Sequence, residues 1–235
     1  MRAAIRILTA TLVLLTSVNG AQAQSNAVLL ELFTSQGCSS CPPADAYLNE
    51  LAEDPDIVAL SLHVDYWDYL GWRDAFASPT MTARQKGYAY ARGSRSIFTP
   101  QMIVQGQFQA VGHNRSAIAT AIEEFKSAPR VATITLTTKD GMLAITLAAQ
   151  KPEAAKGKVH LVTYAHPQTL QVFGGENRGR SITYANVAKS WMTLGTWDGE
   201  PVTMTAPLPS MMRGVAVFVQ NGDHGPIIAA AKLEM

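Results

Sequence analysis

The chain has 235 residues, 47% of them hydrophobic, with 19 Lys and Arg against 18 Asp and Glu. That balance offers no basic surface to nucleic acid or to an anionic membrane. Only two cysteines occur, Cys38 and Cys41, which excludes both a multi-bridge disulfide framework and a four-cysteine zinc site.

Arg2 and Arg6 precede an apolar run from Ile7 to Val18 and then Ala21-Gln22-Ala23, a small-residue cleavage pattern. Residues 1–23 therefore read as a signal peptide, too short in its apolar part to span a bilayer as a helix. The expected mature protein is periplasmic or secreted, with no membrane attachment after cleavage. It would keep about 212 residues, with 17 basic against 18 acidic side chains, a formal charge of −1. That length holds one sizeable core or two small ones.

From Ala27 to Lys126 short apolar runs alternate with helical spacing, giving the order βαβαββα. The first strand is expected at Val28 to Thr34. Tyr47, Leu48, Leu51 and Ala52 mark one face of the first helix, which Asp54-Pro55-Asp56 ends. A second strand spans Ile57 to Val64, and the aromatic insertion Tyr66 to Arg73 follows. A second helix is expected from Thr80 to about Ala91. Gln101 to Gln105 and Phe108 to Val111 form a hairpin, and a last helix is capped near Asn114 and runs to about Ser127. Ala128-Pro129-Arg130 reads as a linker closing a domain of residues 24–128.

Beyond it the texture changes. Ala132, Ile134 and Leu136 alternate with threonines, Lys139-Asp140-Gly141 makes a turn, and Leu143, Ile145 and Leu147 alternate again. Further strands are expected at Val159 to Tyr164, Thr169 to Phe173, Trp191 to Trp197, Val202 to Ala206, Val215 to Gln220 and Ile227 to Leu233. Seven or eight short strands predict an all-β, sandwich-like domain over residues 129–235.

The chemistry concentrates at Cys38-Ser39-Ser40-Cys41, placed between a strand and a helix. A thiol attacks as its thiolate, and a helix N-terminus lowers its pKa through free N–H groups and the helix dipole. Cys38 is the expected nucleophile. The two-residue spacing lets Cys41 resolve a mixed disulfide on Cys38. A bridge between them closes too small a loop to brace the fold. Pro42 and Pro43 place Cys41 at the edge of the helix.

The run Leu29-Leu30-Glu31-Leu32-Phe33-Thr34, the CxxC pair and Thr99-Pro100 heading a hairpin together resemble the thioredoxin-like superfamily. The resemblance implies a cis Pro100 beside the cysteines and a Thr99 backbone that pairs with an extended substrate segment. It also implies a buried carboxylate serving Cys41, which maps approximately onto Glu31 if one residue is inserted before Cys38. The alternative for Glu31 is a strand carboxylate satisfied by a neighbour. The longer string Glu31 to Pro43, with His63-Val64-Asp65-Tyr66-Trp67 and Gly175 to Arg180, resembles an exported bacterial family known only as a domain of unknown function.

Ser61, His63 and Asp65 share one face of the second strand. His63 with Cys38 and Cys41 would make a soft Cu(I) site; the other reading is a histidine hydrogen-bonded to Asp65. Tyr66 to Arg73 is either a lip for an unfolded polypeptide or packing between domains. Gly174 to Arg180 lacks phosphate-loop spacing, and reads either as a solvated turn or as the source of an arginine, Arg178 or Arg180, beside the Cys38 thiolate. His113, His160, His166 and His224 have no metal-ligand spacing, and no hydrolase motif occurs. The expected activity is thiol–disulfide exchange with protein thiols or disulfides, supported by a redox partner protein and without a dissociable cofactor. The rivals are a Cu(I) carrier and a binding module whose disulfide is permanent.

Overall fold

The computed structural model describes residues 27–235, and the signal-peptide reading of residues 1–23 falls outside them. The first half runs β1 (Val28–Thr34), α1 (Pro42–Leu51), β2 (Ile57–His63), α2 (Pro79–Ala91), β3 (Gln101–Val104), β4 (Phe108–Val111) and α3 (Arg115–Ser127). These four strands form one sheet in the order β2-β1-β3-β4, with β1 parallel to β2 and antiparallel to β3. Local chemistry sets the boundaries. Ser78 caps α2 by accepting from the Thr80 N–H, with Pro79 opening the helix, and the Asn114 side chain caps α3 by accepting from the Ala117 N–H. The hairpin turn at Gln105 and Gly106 has positive φ at both positions, 51° and 67°. A Cβ at Gly106 would also stand 2.5 Å from the Gly225 carbonyl oxygen, so only glycine fits there.

The second half contributes β5 (Ala132–Lys139), β6 (Met142–Ala149), β7 (Gly157–Tyr164), β8 (Gln168–Gln171), β9 (Ser181–Tyr184), β10 (Ala188–Trp197), β11 (Val202–Pro207), β12 (Gly214–Gln220) and β13 (Ile227–Glu234). They build a central sheet β10-β7-β12-β13, an outer sheet β11-β6-β5 and a two-stranded ribbon β8-β9. The described chain is thus mixed α/β, with three α-helices and strands in four sheets. β9 went unseen in the sequence, and β8 is shorter than expected.

Strand alternation sorts the side chains of the first sheet into two cores. Val28, Leu30 and Leu32 face α1 and α3, packing on Ala44, Tyr47, Leu48, Ile118 and Ile122. Leu29, Phe33, Val58, Leu60 and Leu62 face the other way, onto Met81 and Tyr88 of α2 and onto Val162, Tyr164, Ala216 and Phe218 of the central sheet. The opposite face of the central sheet, with Val159, Leu161, Val215 and Val217, packs on the outer sheet through Ile134, Leu136, Ile145 and Leu147. Being covered on both faces explains why β12 is apolar from Gly214 to Val219 and buried at every position. A buried Leu, Ile, Val or Phe contributes roughly 1.5–3 kcal/mol over exposure, so the joint between the halves is a core.

The free edge of β2 is covered as well. Ser61 N–H donates to the Asn186 carbonyl, Asn186 Nδ2 donates to the Ala59 carbonyl, and Ser61 bridges Val187 in parallel. That clamp, with Asn49 Nδ2 donating to the Thr183 carbonyl, lays β9 alongside α1. No helix among the described residues is long and apolar enough to cross a membrane.

Candidate active site

Cys38 and Cys41 are joined as a disulfide with their Cα atoms 5.4 Å apart. Cys41 is the N-cap of α1, and its carbonyl accepts from the N–H groups of Ala44 and Asp45. The next two residues, Pro42 and Pro43, carry no N–H. The first turn therefore keeps its dipole but has lost the free donors that the sequence reading assigned to Cys38. The polar group beside the Cys38 sulfur is instead Ser40 Oγ, 3.4 Å from Sγ.

The peptide bond Thr99-Pro100 is cis, and two contacts bring it to the cysteines. A Cβ built on Gly112 would lie 2.9 Å from Ala44 Cβ and 3.1 Å from Pro100 Cβ, so Pro100 borders the first turn of α1. Trp67 packs its Cβ against Gly37 and donates from Nε1 to Thr99 Oγ1 at 2.7 Å. Thr99 and Pro100 are thus tied, through Trp67 and Ala44, to the residues that flank the cysteines. Within the aromatic insertion, Trp67 and Trp72 pack around the cysteine loop, with Trp72 Nε1 donating to Gln36 Oε1 at 2.8 Å, while Tyr69 is 79% exposed.

Glu31 lies elsewhere. Alternation along β1 turns it away from α1, into a network with Arg84, whose Nε and Nη2 donate to its two oxygens at 2.5 and 3.1 Å. Tyr88 OH also donates to it at 2.5 Å. It is thus the satisfied strand carboxylate and does not face Cys41. Asp45 follows Cys41 by one helical turn, its N–H donating to the Cys41 carbonyl, and so falls on the same face of α1.

Asp45 is buried, and burial is the chief cause that pushes its pKa up to about 7, against the lowering effects of His63 and of its hydrogen bond to Thr34. Thr34 Oγ1 donates to Asp45 Oδ1 at 2.7 Å, but Oδ2 has no partner among the described residues. Thr34 is in register with His63 across the β1–β2 pair. His63 does not bond Asp65: its Nδ1 lies 2.7 Å from Asp74 Oδ2, its Nε2 has no partner, and Asp65 instead accepts from Thr82 on α2. Tyr184 and Phe76 pack edge-on against the imidazole, with centroids 4.9 and 5.2 Å away. Burial pushes the Asp74 carboxyl up, but the charge of His63 and the hydrogen bonds from His63, Gln36 and Phe76 leave it lowered overall. The Tyr184 hydroxyl is unpaired, and burial pushes its pKa up.

The segment from Gly174 to Arg180 is a turn whose charged side chains are exposed, but it is also anchored on the cysteine loop. Asn177 Nδ2 donates to the carbonyls of Gln36 and Cys38, at 2.9 and 2.7 Å, and Glu176 Oε2 accepts from the Ser39 N–H at 3.1 Å. Arg180 Nη1 donates to Asn177 Oδ1 at 3.1 Å, so it orients Asn177, and Arg178 is exposed. With the loop in place both cysteines are fully buried. Among the described residues no group of three or more His, Cys, Asp and Glu is arranged to hold a metal ion.

The profile of the family described as protein of unknown function DUF1223 matches residues 29–220. The chain belongs to that family. This DUF1223 protein is similar to the crystal structure of a protein from Agrobacterium tumefaciens, at 32% identity and a TM-score of 0.78, over 90% of this chain and 96% of that one. It is also similar in fold to HBP35 of Porphyromonas gingivalis, at 15% identity and a TM-score of 0.61, over 90% of this chain and 76% of that one. No curated protein matches this DUF1223 chain.

Sequence reasoning missed Asp45, Asp74, Tyr184 and Asn177. The spacing of Cys41 and Asp45 could have revealed the first of them, since i and i+4 share a helix face. The other three reach the site only through tertiary contacts.

Proposed function

We propose that the protein is an exported thiol–disulfide oxidoreductase. In this reading residues 24–128 are a thioredoxin-like redox domain and residues 129–235 a sandwich-like domain that covers it. One observation carries the reading: a CxxC disulfide heads α1, and one helical turn on stands a buried carboxyl, Asp45, with one oxygen unpaired among the described residues. A structural disulfide needs no such carboxyl.

The chemistry balances as follows. The thiolate of a partner dithiol attacks Cys38 Sγ, forming a mixed disulfide as the Cys38–Cys41 bond breaks and its electron pair passes to Cys41 Sγ. The protonated Asp45 carboxyl supplies the proton that Cys41 takes up. The partner's second thiolate then attacks the partner sulfur of the mixed disulfide, and Cys38 leaves as thiolate and is protonated from solvent. The partner is oxidised to a disulfide and the pair reduced to two thiols; the reverse sequence oxidises the pair. A proton carrier whose pKa lies near the working pH serves both directions.

The test is thiol trapping of the pair across defined redox buffers, with Cys38→Ser and Cys41→Ser variants. A potential within roughly −120 to −270 mV, loss of exchange in the first variant and trapped mixed disulfides in the second are expected. The complete burial of both cysteines favours a second reading, a binding module with a permanent disulfide. A potential below about −300 mV would establish that reading and overturn the first.

A further inference from the structure

Ser39 and Ser40 are exposed while the cysteines flanking them are fully buried, so other parts of the chain cover the sulfurs. A thiolate must reach a disulfide sulfur along its bond axis, and exchange requires that access. The β8–β9 connection lies directly against the cysteine loop. Its side chains engage one backbone donor, the Ser39 N–H, and two acceptors, the carbonyls of Gln36 and Cys38. An extended polypeptide complements that same kind of set with its own backbone groups.

We propose that the Gly174–Arg180 loop is an autoinhibitory lid, which imitates a bound polypeptide and is displaced by the extended, thiol-bearing segment of a partner protein. The inference rests on the exchange activity proposed above and identifies the kind of partner that reaches the site. Asn177 is the latch: it is 1% exposed, whereas Glu176, Arg178, Gly179 and Arg180 around it are exposed. The loop closes on itself through Arg178 N–H to the Gly175 carbonyl, Arg180 N–H to the Asn177 carbonyl and Gly179 N–H to the Val172 carbonyl. It can therefore lift as a unit without unpairing its own backbone. Gly175 and Gly179, at φ of 65° and 85°, bracket it. Against the cysteine loop it is held by the hydrogen bonds of Asn177 and Glu176 and by Gly174 and Gly175 seated on Trp72. Phe173, 70% exposed with its ring 6.1 Å from that of Trp72, stands at the lid's edge as an apolar contact for the incoming segment.

The experiment compares wild type with Asn177→Ala and Glu176→Gln in two assays, reduction of the disulfide by dithiothreitol and exchange with a reduced cysteine peptide. Losing the latch's two hydrogen bonds should speed reduction by dithiothreitol about tenfold, and the milder Glu176→Gln two- to threefold. The equilibrium constant with glutathione should stay within about twofold of wild type, because the lid governs access and not the bond. The Ser39 amide should exchange hydrogen slowly in wild type and faster in both variants. Unchanged reduction rates in folded variants would overturn the lid, and so would wild-type Ser39 exchanging as fast as an open loop. Should Asn177→Ala fail to fold, Glu176→Gln and the wild-type Ser39 amide still decide. Faster reduction by dithiothreitol without peptide exchange in any form would uphold a cover over the pair while overturning both the exchange activity and the polypeptide partner.

Discussion

Two clusters of buried polar side chains lie on opposite faces of the first sheet, and they are completed differently. Beneath α2, Glu31, Arg84, Tyr88 and Gln220 satisfy one another. Gln220 Oε1 accepts from Arg84 Nη1 at 3.1 Å, its Nε2 donates to Tyr88 OH at 3.0 Å, and Trp191 lies 4.2 Å from the guanidinium carbon. Beneath α1, Asp45 Oδ2, His63 Nε2 and Tyr184 OH have no partner among the described residues. Buried polar atoms are normally paired, and a group of orphans needs a reason. The first cluster ties β1 and α2 to the central sheet, which is architecture. The second leaves its oxygen, nitrogen and hydroxyl available on the face of the sheet that α1 covers, which is how a site for proton transfer is built.

The sharpest way to break this comparison is to unpair the satisfied cluster. Arg84→Met leaves the Glu31 carboxylate buried without a cation, and stability should fall by about 3–5 kcal/mol. Urea unfolding monitored by tryptophan fluorescence reads this directly. The reduction potential of the folded protein should not move, because Arg84 lies on the far face of the sheet from Cys41. A stability loss under about 1 kcal/mol would mean that the network contributes little to joining the halves.

Asp45→Asn addresses the other cluster, and its effect should have the opposite sign. The carboxyl titrates at about 7 when folded, against an ordinary value of 3.8, so the native state holds this proton more tightly than the unfolded chain. Its contribution to stability is complete below pH 4 and is lost as pH rises through 7. By proton linkage the loss approaches about 4 kcal/mol. The asparagine variant, having no such proton, should be more stable relative to wild type at pH 8 than at pH 4, by an amount of that order. It should also lose the inflection near pH 7 in its rate of disulfide exchange. Equal pH dependence of stability in variant and wild type would remove Asp45 as the titrating group. A residue kept where its charge destabilises the fold is a residue kept for chemistry.

Much of the first half was legible in the sequence, because its signals are local. The apolar run of β1, the Asn114 cap of α3 and the Gln105–Gly106 turn each follow from residues within a few positions of one another. Alternation along β1 also separates Glu31 from Thr34, but which face α1 covers is a tertiary fact, so the sequence left both readings of Glu31 open and the structure selects the strand carboxylate satisfied by Arg84 and Tyr88. Asp74 lies in an irregular stretch without periodicity, and β9 is only four residues long. The lid shows the same limit from another side. Glu176, Arg178 and Arg180 are exposed as their charges suggest. The neutral Asn177 among them is the residue drawn inward, and nothing in its neighbours' composition distinguishes it.

The smallest expected effect concerns the helix end that both clusters leave aside. Pro42 and Pro43 deprive the first turn of α1 of two donors, so a thiolate on Cys38 has the dipole and Ser40 Oγ to stabilise it and little else. A poorly stabilised thiolate favours the disulfide and lowers the reduction potential. Pro43→Ala restores one N–H at a position that is already exposed and already helical. If the amide reaches the Cys38 thiolate, one added charge-assisted hydrogen bond of about 1.4 kcal/mol should raise the potential by about 30 mV. Equilibration with glutathione resolves a shift of that size. A rise in Pro43→Ala with no matching rise on removing Asp45 would assign the thiolate to the helix terminus and the proton to the buried carboxyl. Equal shifts from both changes would mean that a single electrostatic site governs the two sulfurs, and the division of labour between Cys38 and Cys41 would have to be redrawn.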